Sequence, residues 1–240
     1  MRRRLSELAI PCPRFRLVAT AEDLASFGFP AVVKTTRGGY DGKGVWVVRS
    51  AGDADEAFAS GRALLAEELV DFRRELSALV ARSPSGETSS YPIVESRQVG
   101  GVCSEVIAPA PELDPELEAE ARAIATRIVT ELDVTGILAV ELFETVDGRL
   151  LVNELAMRPH NTGHWSIDGA HTSQFENHVR AVLDLPLGNA EARVPWSVMV
   201  NILGGAVDAL AAQRAIVLAA GPGVKIQLYG QAVKGGRQVG

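Results

Sequence analysis

A chain of 240 residues that is 47% hydrophobic and 22% charged has a globular composition and enough length for a substantial core, expected in two lobes. Its net charge of −6 argues against a general nucleic-acid surface, which needs a basic stripe. The only tight basic cluster, Arg2-Arg3-Arg4, is too short to anchor to a membrane by itself. No apolar run approaches the ~20 residues of a membrane span, so no membrane contact is expected and the cytoplasm is the default compartment. Cys12 and Cys103 form no Cys-x-x-Cys pair and read as reduced thiols.

In chain order, Met1 to about Leu8 reads as one or two helical turns without a preceding cap, like an element cut from something longer. Pro11 and Pro13 break the chain, and Phe15 to Ala19 forms a short strand. Thr20 and Asp23 make a variant capping box that opens a helix over 21–27. Phe29 to Thr35 is a β-branched strand. The loop Arg-Gly-Gly-Tyr-Asp-Gly-Lys-Gly follows at 37–44, then a strand at 45–48. Its glycines free the backbone to set N–H groups around an anion, and Lys43 adds charge. No Ser or Thr follows that lysine, and the loop joins strand to strand, so it is not a Walker A loop. It reads either as a lid over nucleotide phosphates, with Lys34 reaching them from the preceding strand, or as a plain flexible hairpin.

A short helix at 53–60 precedes a strand at 66–70 that continues through 71–82. Backbone at Glu67, Glu68, Leu69 and Val70 lies between the lobes and can read an adenine edge, and Glu75 can accept from ribose hydroxyls. The alternative for Glu75 is a solvated strand residue. After a turn at 83–86, strands are expected at roughly 88–98 and 102–108. Asp114 caps and Pro115 opens an amphipathic helix to about Leu132, with Leu117, Ala121, Ile124, Ile128 and Leu132 on one side.

Residues 137–156 read as a hairpin around Asp147-Gly148, a dipeptide that favours a two-residue type I′ turn. Counting outward from that turn puts Glu141 opposite Glu154, with Cβ atoms about 5 Å apart, on a face shared with Ala139, Phe143, Val152 and Ala156. Two such carboxylates repel and need a positive neighbour: a shared proton, a basic side chain or a divalent cation. Magnesium fits better than the others, because it binds through a few carboxylates plus substrate phosphates, and Asn153 and Arg158 can serve phosphate oxygens beside it. A register one residue off would instead leave both acids in water. Beyond the hairpin, His160 and His164 suit substrate hydrogen bonding or structure more than zinc. A helix over 167–184 carries His171 and His178, and strands at 197–203 and 224–229 flank a short helix.

Lys34, the glycine flap, the 67–70 hinge, Glu75 and the Glu141/Glu154 pair occur in this order. Together they resemble the ATP-grasp superfamily, whose two α+β lobes hold ATP and magnesium between antiparallel sheets. Within it the wording is closest to the 5-(carboxyamino)imidazole ribonucleotide synthases of purine biosynthesis, in R-G-G-Y-D-G-K-G, F-R-R-E-L-S, Y-P-I-V-E, N-E-L-A-M-R-P-H-N-T-G-H-W and T-S-Q-F-E-N-H-V-R-A-V-L-D-L-P-L-G. The resemblance implies a remnant of a missing N-terminal domain at 1–14 and a small lobe at 15–70. It implies a large lobe with the metal hairpin at 71–188, and a partial β-rich C-terminal domain at 189–240.

By position, the resemblance implies ATP phosphate contacts at Lys34, Gly39, Tyr40, Asp41, Gly42, Lys43, Gly44 and Val45. It implies adenine contacts at Glu67, Glu68, Leu69 and Val70, ribose at Glu75, and a further nucleotide contact at Gln98, where members often have histidine. Asn153 and Glu154 would meet metal-bound phosphates, and Glu141 and Glu154 would hold Mg2+ or Mn2+. Tyr40, Asp41, His160, Asn161 and Arg237 would contact aminoimidazole ribonucleotide or carboxyphosphate, and Lys34, Lys43 and Arg158 would stabilise charge in catalysis.

The implied reaction carboxylates 5-aminoimidazole ribonucleotide with bicarbonate and ATP, and members commonly form homodimers. The chain departs from the pattern at Met157, where proline is usual, and at Gln231, where lysine is expected; the resemblance also implies that an N-terminal α/β domain of members is missing here. Two other readings therefore stand: an Mg-ATP-binding remnant that does not carboxylate alone, and another ATP-grasp ligase such as formate-dependent glycinamide ribonucleotide transformylase.

Overall fold

The computed structural model describes residues 1–38, 43–204 and 210–229. Gly39, Tyr40, Asp41, Gly42, Gln231 and Arg237 lie outside them. The elements in order are α1 (Arg2–Glu7), β1 (Phe15–Val18), α2 (Ala21–Phe27), β2 (Ala31–Thr35), β3 (Val45–Val48), α3 (Asp55–Ala59), β4 (Leu64–Glu68), β5 (Phe72–Arg82) and β6 (Thr88–Ser90). Then follow β7 (Val94–Val99), β8 (Val102–Ala108), α4 (Pro115–Glu131), β9 (Gly136–Thr145), β10 (Leu150–Ala156), α5 (Ser166–Gly169), α6 (Gln174–Val182), β11 (Ser197–Val200) and α7 (Leu210–Ala219).

The small lobe is an antiparallel sheet in the order β1-β4-β2-β3. Its inward residues, among them Val18, Ala31, Val33, Val48, Leu64 and Ala66, pack with Leu24 and Phe27 of α2 and Ala57 of α3. The expected capping box starts α2: Thr20 Oγ1 accepts from Asp23 N at 3.2 Å, and Asp23 accepts from Thr20 N at 3.1 Å.

The large lobe is a sheet in the order β10-β9-β5-β7-β8-β11, with β6 beside β5. Alternation along β5, β9 and β10 sends Leu76, Ala78, Val80, Leu138, Val140, Leu142 and Val152 to one face. There they meet Ala121, Ile124 and Ile128 of α4, whose N-terminus Asp114 caps as expected by accepting from Glu116 N at 2.8 Å. The opposite face buries Leu79, Ala81, Ile137 and Ala139 against Tyr91, Trp165 and Ala170.

Several expectations need correction. The helical turns expected from Met1 to about Leu8 are present as α1, but they do not stand apart: Leu5 and Ile10 are buried in the large-lobe core. The strand expected at 88–98 is divided into β6 and β7, because Pro92 has no amide proton to offer a ladder. The helix expected at 167–184 is two pieces, and Ser173 caps the second by accepting from Glu176 N at 3.2 Å. Residues 224–229 form no strand: their apolar alternation is present, but a strand also needs a neighbour to pair with. The segment expected at 197–203 does begin with a strand, which extends the large sheet at β8.

Candidate active site

The β9–β10 hairpin does not turn as its Asp-Gly dipeptide suggests. Gly148 N donates to Thr145 O at 3.0 Å and Thr145 N to Arg149 O at 2.9 Å, so three residues, 146–148, connect the strands. Gly148 has φ 78°, whereas Asp147 is not among the residues with positive φ, so this is a turn closed by a left-handed glycine and not type I′. The strands leave the turn one residue out of step with the expected register, pairing Leu151 with Phe143 and Val152 with Leu142. The register then shifts between Val152 and Glu154, with Asn153 as the extra residue, and Glu154 faces Glu141 after all. Two local departures cancel. In consequence Val152 packs in the core instead of joining the acid face, and Leu151 takes its place beside Phe143.

The acid face is less buried than the sequence suggests. Glu141 is half-buried and Glu154 is open to solvent on one side. Even so, crowding by protein atoms and the Glu141 charge push the Glu154 carboxyl above its ordinary value, opposed by Lys34, His160 and Arg158. Glu75, on the neighbouring strand β5, is pushed up to about 7, first by burial and then by Glu141. Gln98 and Lys34 oppose that shift. Glu75, Ser96, Gln98, Glu141 and Asn153 line one narrow cleft.

Lys34, from β2 of the small lobe, crosses to this hairpin. Its Nζ lies 2.8 Å from Glu67 Oε2 and donates to Asn153 Oδ1 at 3.2 Å. The flap's second leg starts at Lys43, and Val45 pairs with Lys34 in the ladder. Gly44 has φ 74°, and a Cβ there would come 2.7 Å from Thr35 Oγ1, so this position admits only glycine without displacement. Within the hinge, Glu67 and Glu68 belong to β4, and Glu67 is laddered on both sides. The Glu67 side chain is held by Arg2 and Lys34; Leu69 and Val70 lie outside the strands.

Below the hairpin, His160 Nε2 lies 3.1 Å from Glu141 Oε1. Its Nδ1 is 2.8 Å from Thr162 Oγ1, which is 2.8 Å from Ser77 Oγ. The fully buried Gln174 accepts from His160 N at 2.8 Å and donates to His160 O at 2.7 Å. Its amide also lies 2.9 Å from His164 Nδ1. Burial, with His160, pushes His164 down to about 4, so at neutral pH its ring is uncharged. The two rings thus face different partners, Glu141 and Thr162 for His160 and Gln174 for His164; among the described residues no group of three or more His, Cys, Asp or Glu is arranged to hold a metal. Arg158 is exposed beside them, and Asn161 Oδ1 is buried without a partner.

A model of the ATP-grasp domain matches residues 3–175. The chain belongs to the ATP-grasp family. The N5-carboxyaminoimidazole ribonucleotide synthase of Mycobacterium bovis is 50% identical over 100% of this chain and 58% of its own length; that of Corynebacterium ammoniagenes is 47% identical over 100% and 62%. The N5-carboxyaminoimidazole ribonucleotide synthetase of Thermus thermophilus superposes with a TM-score of 0.87 at 41% identity, covering 99% of this chain and 64% of that one. The Aspergillus clavatus N5-carboxyaminoimidazole synthase, in complex with ADP and 5-aminoimidazole ribonucleotide, gives 0.89 at 33% identity, covering 99% and 65%. The chain therefore spans less than two thirds of the length of these relatives.

In this ATP-grasp chain, sequence reasoning missed Arg2, Ser77, Thr162 and Gln174, which stand behind the site residues. The Ser-x-x-Glu capping signal at Ser173 and Glu176 marks the helix that carries Gln174. No local pattern marks the other three.

Proposed function

We propose that this chain is the ATP-binding and catalytic part of an ATP-grasp ligase that carboxylates 5-aminoimidazole ribonucleotide with bicarbonate. The observation that carries the reading is Lys34 Nζ, donating to Asn153 Oδ1 beside the Glu141/Glu154 pair, in a chain 50% identical to a synthase of that name. Lys34, the flap from Gly39 through Lys43 to Val45, and Asn153 bind the phosphates. Backbone at Leu69 and Val70 reads adenine, and Glu75 accepts from the ribose.

Glu141 and Glu154 are hard oxygen donors that repel each other, a donor set that would hold Mg2+ or Mn2+ beside the nucleotide phosphates. When bound, such a cation neutralises charge on the β- and γ-phosphate oxygens. In the reaction, a bicarbonate oxygen attacks the γ-phosphorus and ADP leaves, giving carboxyphosphate. The exocyclic amine of the ribonucleotide then forms a bond to the carboxyl carbon, phosphate leaves, and the amine loses a proton. Lys34, Lys43 and Arg158 stabilise the moving negative charge, and His160 and Asn161 orient the carboxyphosphate and the ribonucleotide. Tyr40, Asp41 and Arg237 complete the ribonucleotide contacts. The flap's role in this reading is to keep water from the labile intermediate.

The test is phosphate release from ATP. Release should rise on adding bicarbonate and 5-aminoimidazole ribonucleotide together; equal release without them rejects carboxylation, and stimulation by formate alone points to a formate-dependent ligase. A second reading is that the chain binds Mg-ATP but does not carboxylate alone. Calorimetric ATP binding with no substrate-stimulated release identifies that case. A cytoplasmic location and a homodimer belong to the same proposal, and sedimentation tests the dimer.

A further inference from the structure

Arg2 stands where local helix rules do not want it. It occupies the first position of α1, near the positive end of the helix dipole, and α1 has no side-chain cap. Its guanidinium is nonetheless buried, with 4% of the side chain exposed, and Glu67 is equally enclosed. Arg2 Nε donates to Glu67 Oε1 at 2.5 Å and Nη2 to Glu67 Oε2 at 2.9 Å, the two-pronged geometry that only arginine provides. Its remaining nitrogen, Nη1, donates to the carbonyl of Val152, the residue immediately before the Asn153 bulge. Pro11, in the same N-terminal segment, accepts from Val152 N at 2.9 Å, so that segment bonds both the amide and the carbonyl of Val152 on the free edge of β10.

Glu67 is shared. The oxygen that accepts from Arg2 Nη2 also lies 2.8 Å from Lys34 Nζ, which donates onward to Asn153. With Lys34 as its sole partner, the buried carboxylate would neutralise the lysine. With Arg2 as well, the three groups keep one net positive charge, and the lysine is the member that reaches the cleft. Burial by itself pushes the Glu67 carboxyl up, but Arg2 and Lys34 outweigh it and hold the group ionised.

We propose that Arg2 is a positioning residue: by saturating Glu67, it leaves the charge of Lys34 available to the phosphate chain of a nucleotide. This inference rests on the proposed nucleotide-binding function and adds to it a residue outside the cleft, acting through another side chain.

The experiment compares Mg-ATP and adenosine binding to the wild-type chain, Arg2→Gln, Arg2→Lys and the double variant Arg2→Gln/Glu67→Gln, by calorimetry for ATP and ligand-observed NMR for adenosine. Arg2→Gln should weaken ATP binding about tenfold or more, the scale of one charge-assisted hydrogen bond, and change adenosine binding less than about twofold. The double variant removes both buried charges and should return ATP affinity to within about threefold of wild type. Equal losses for ATP and adenosine, or a double variant as weak as Arg2→Gln, would overturn the inference. If Arg2→Gln does not fold, the double variant and Arg2→Lys decide it, since both keep the net charge; a loss of more than about tenfold in both refutes the charge assignment. A wild-type chain that fails to bind Mg-ATP sinks the functional reading and this inference with it. Binding by wild type with no change in Arg2→Gln sinks the inference alone.

Discussion

Glu75→Gln tests the electrostatics of the cleft without any ligand. Burial and the nearby Glu141 raise the Glu75 carboxyl from 4.5 to about 7, so the folded chain favours the protonated acid. A raised pKa contributes stability that is complete below about 4.5 and is lost as pH rises through about 7. Applying these two values at pH 5 and pH 8 gives a loss of ~2.5 kcal/mol on going from the lower to the higher pH, all of it assigned to this one group. Glutamine cannot ionise, so the variant should lack that part of the slope. At ~2–4 °C per kcal/mol for a chain of this size, the melting temperature of wild type should fall ~5–10 °C further than that of Glu75→Gln between the two pH values. Thermal unfolding by circular dichroism at pH 5, 6, 7 and 8 without nucleotide measures it. His164, held near 4, is neutral across this window and common to both proteins. Parallel pH profiles for wild type and variant would refute the claim that Glu75 is held protonated by its surroundings.

Three further substitutions probe other links. Glu154→Gln removes one member of the repelling pair, so it should abolish metal-dependent ATP cleavage while leaving the melting temperature above pH 7 equal or higher; unchanged turnover would count against a metal at this pair. Gln174→Ala leaves the buried amide and carbonyl of His160 without partners and opens a cavity, at a cost of ~3 kcal/mol read by urea unfolding, and substrate-stimulated phosphate release should fall with it. Gly148→Ala puts a Cβ into open space but at φ 78°, so it should cost ~1–2 kcal/mol through backbone strain alone, and a loss near zero would argue against the left-handed turn.

Much of the site was legible because its residues announce themselves locally. Lys34 lies in a β-branched strand before a glycine-rich loop, and the helix after Asp114 carries its own cap, its proline and a continuous apolar side. Less legible was the route by which Glu154 reaches Glu141. The Asp-Gly dipeptide suggested a tight turn and hence a register, and the pairing agrees only because a longer turn and a bulge at Asn153 displace the strand once each way. A bulge depends on what bonds to the free edge of the strand, here Pro11 and Arg2, more than a hundred residues away in the chain.

The sequence by itself determined the two-lobed α+β organisation and the strands that carry Lys34, Glu75, Glu141 and Glu154. Hydrophobic periodicity, caps and glycines act over a few residues, so they can be read without coordinates. Only the tertiary structure decided that Glu67 joins Arg2 to Lys34, that Gln174 cradles His160, and that residues 1–14 pack into the large lobe. Each of those is a contact between distant segments made by buried polar groups that must find partners. Which partner is found depends on how the lobes meet.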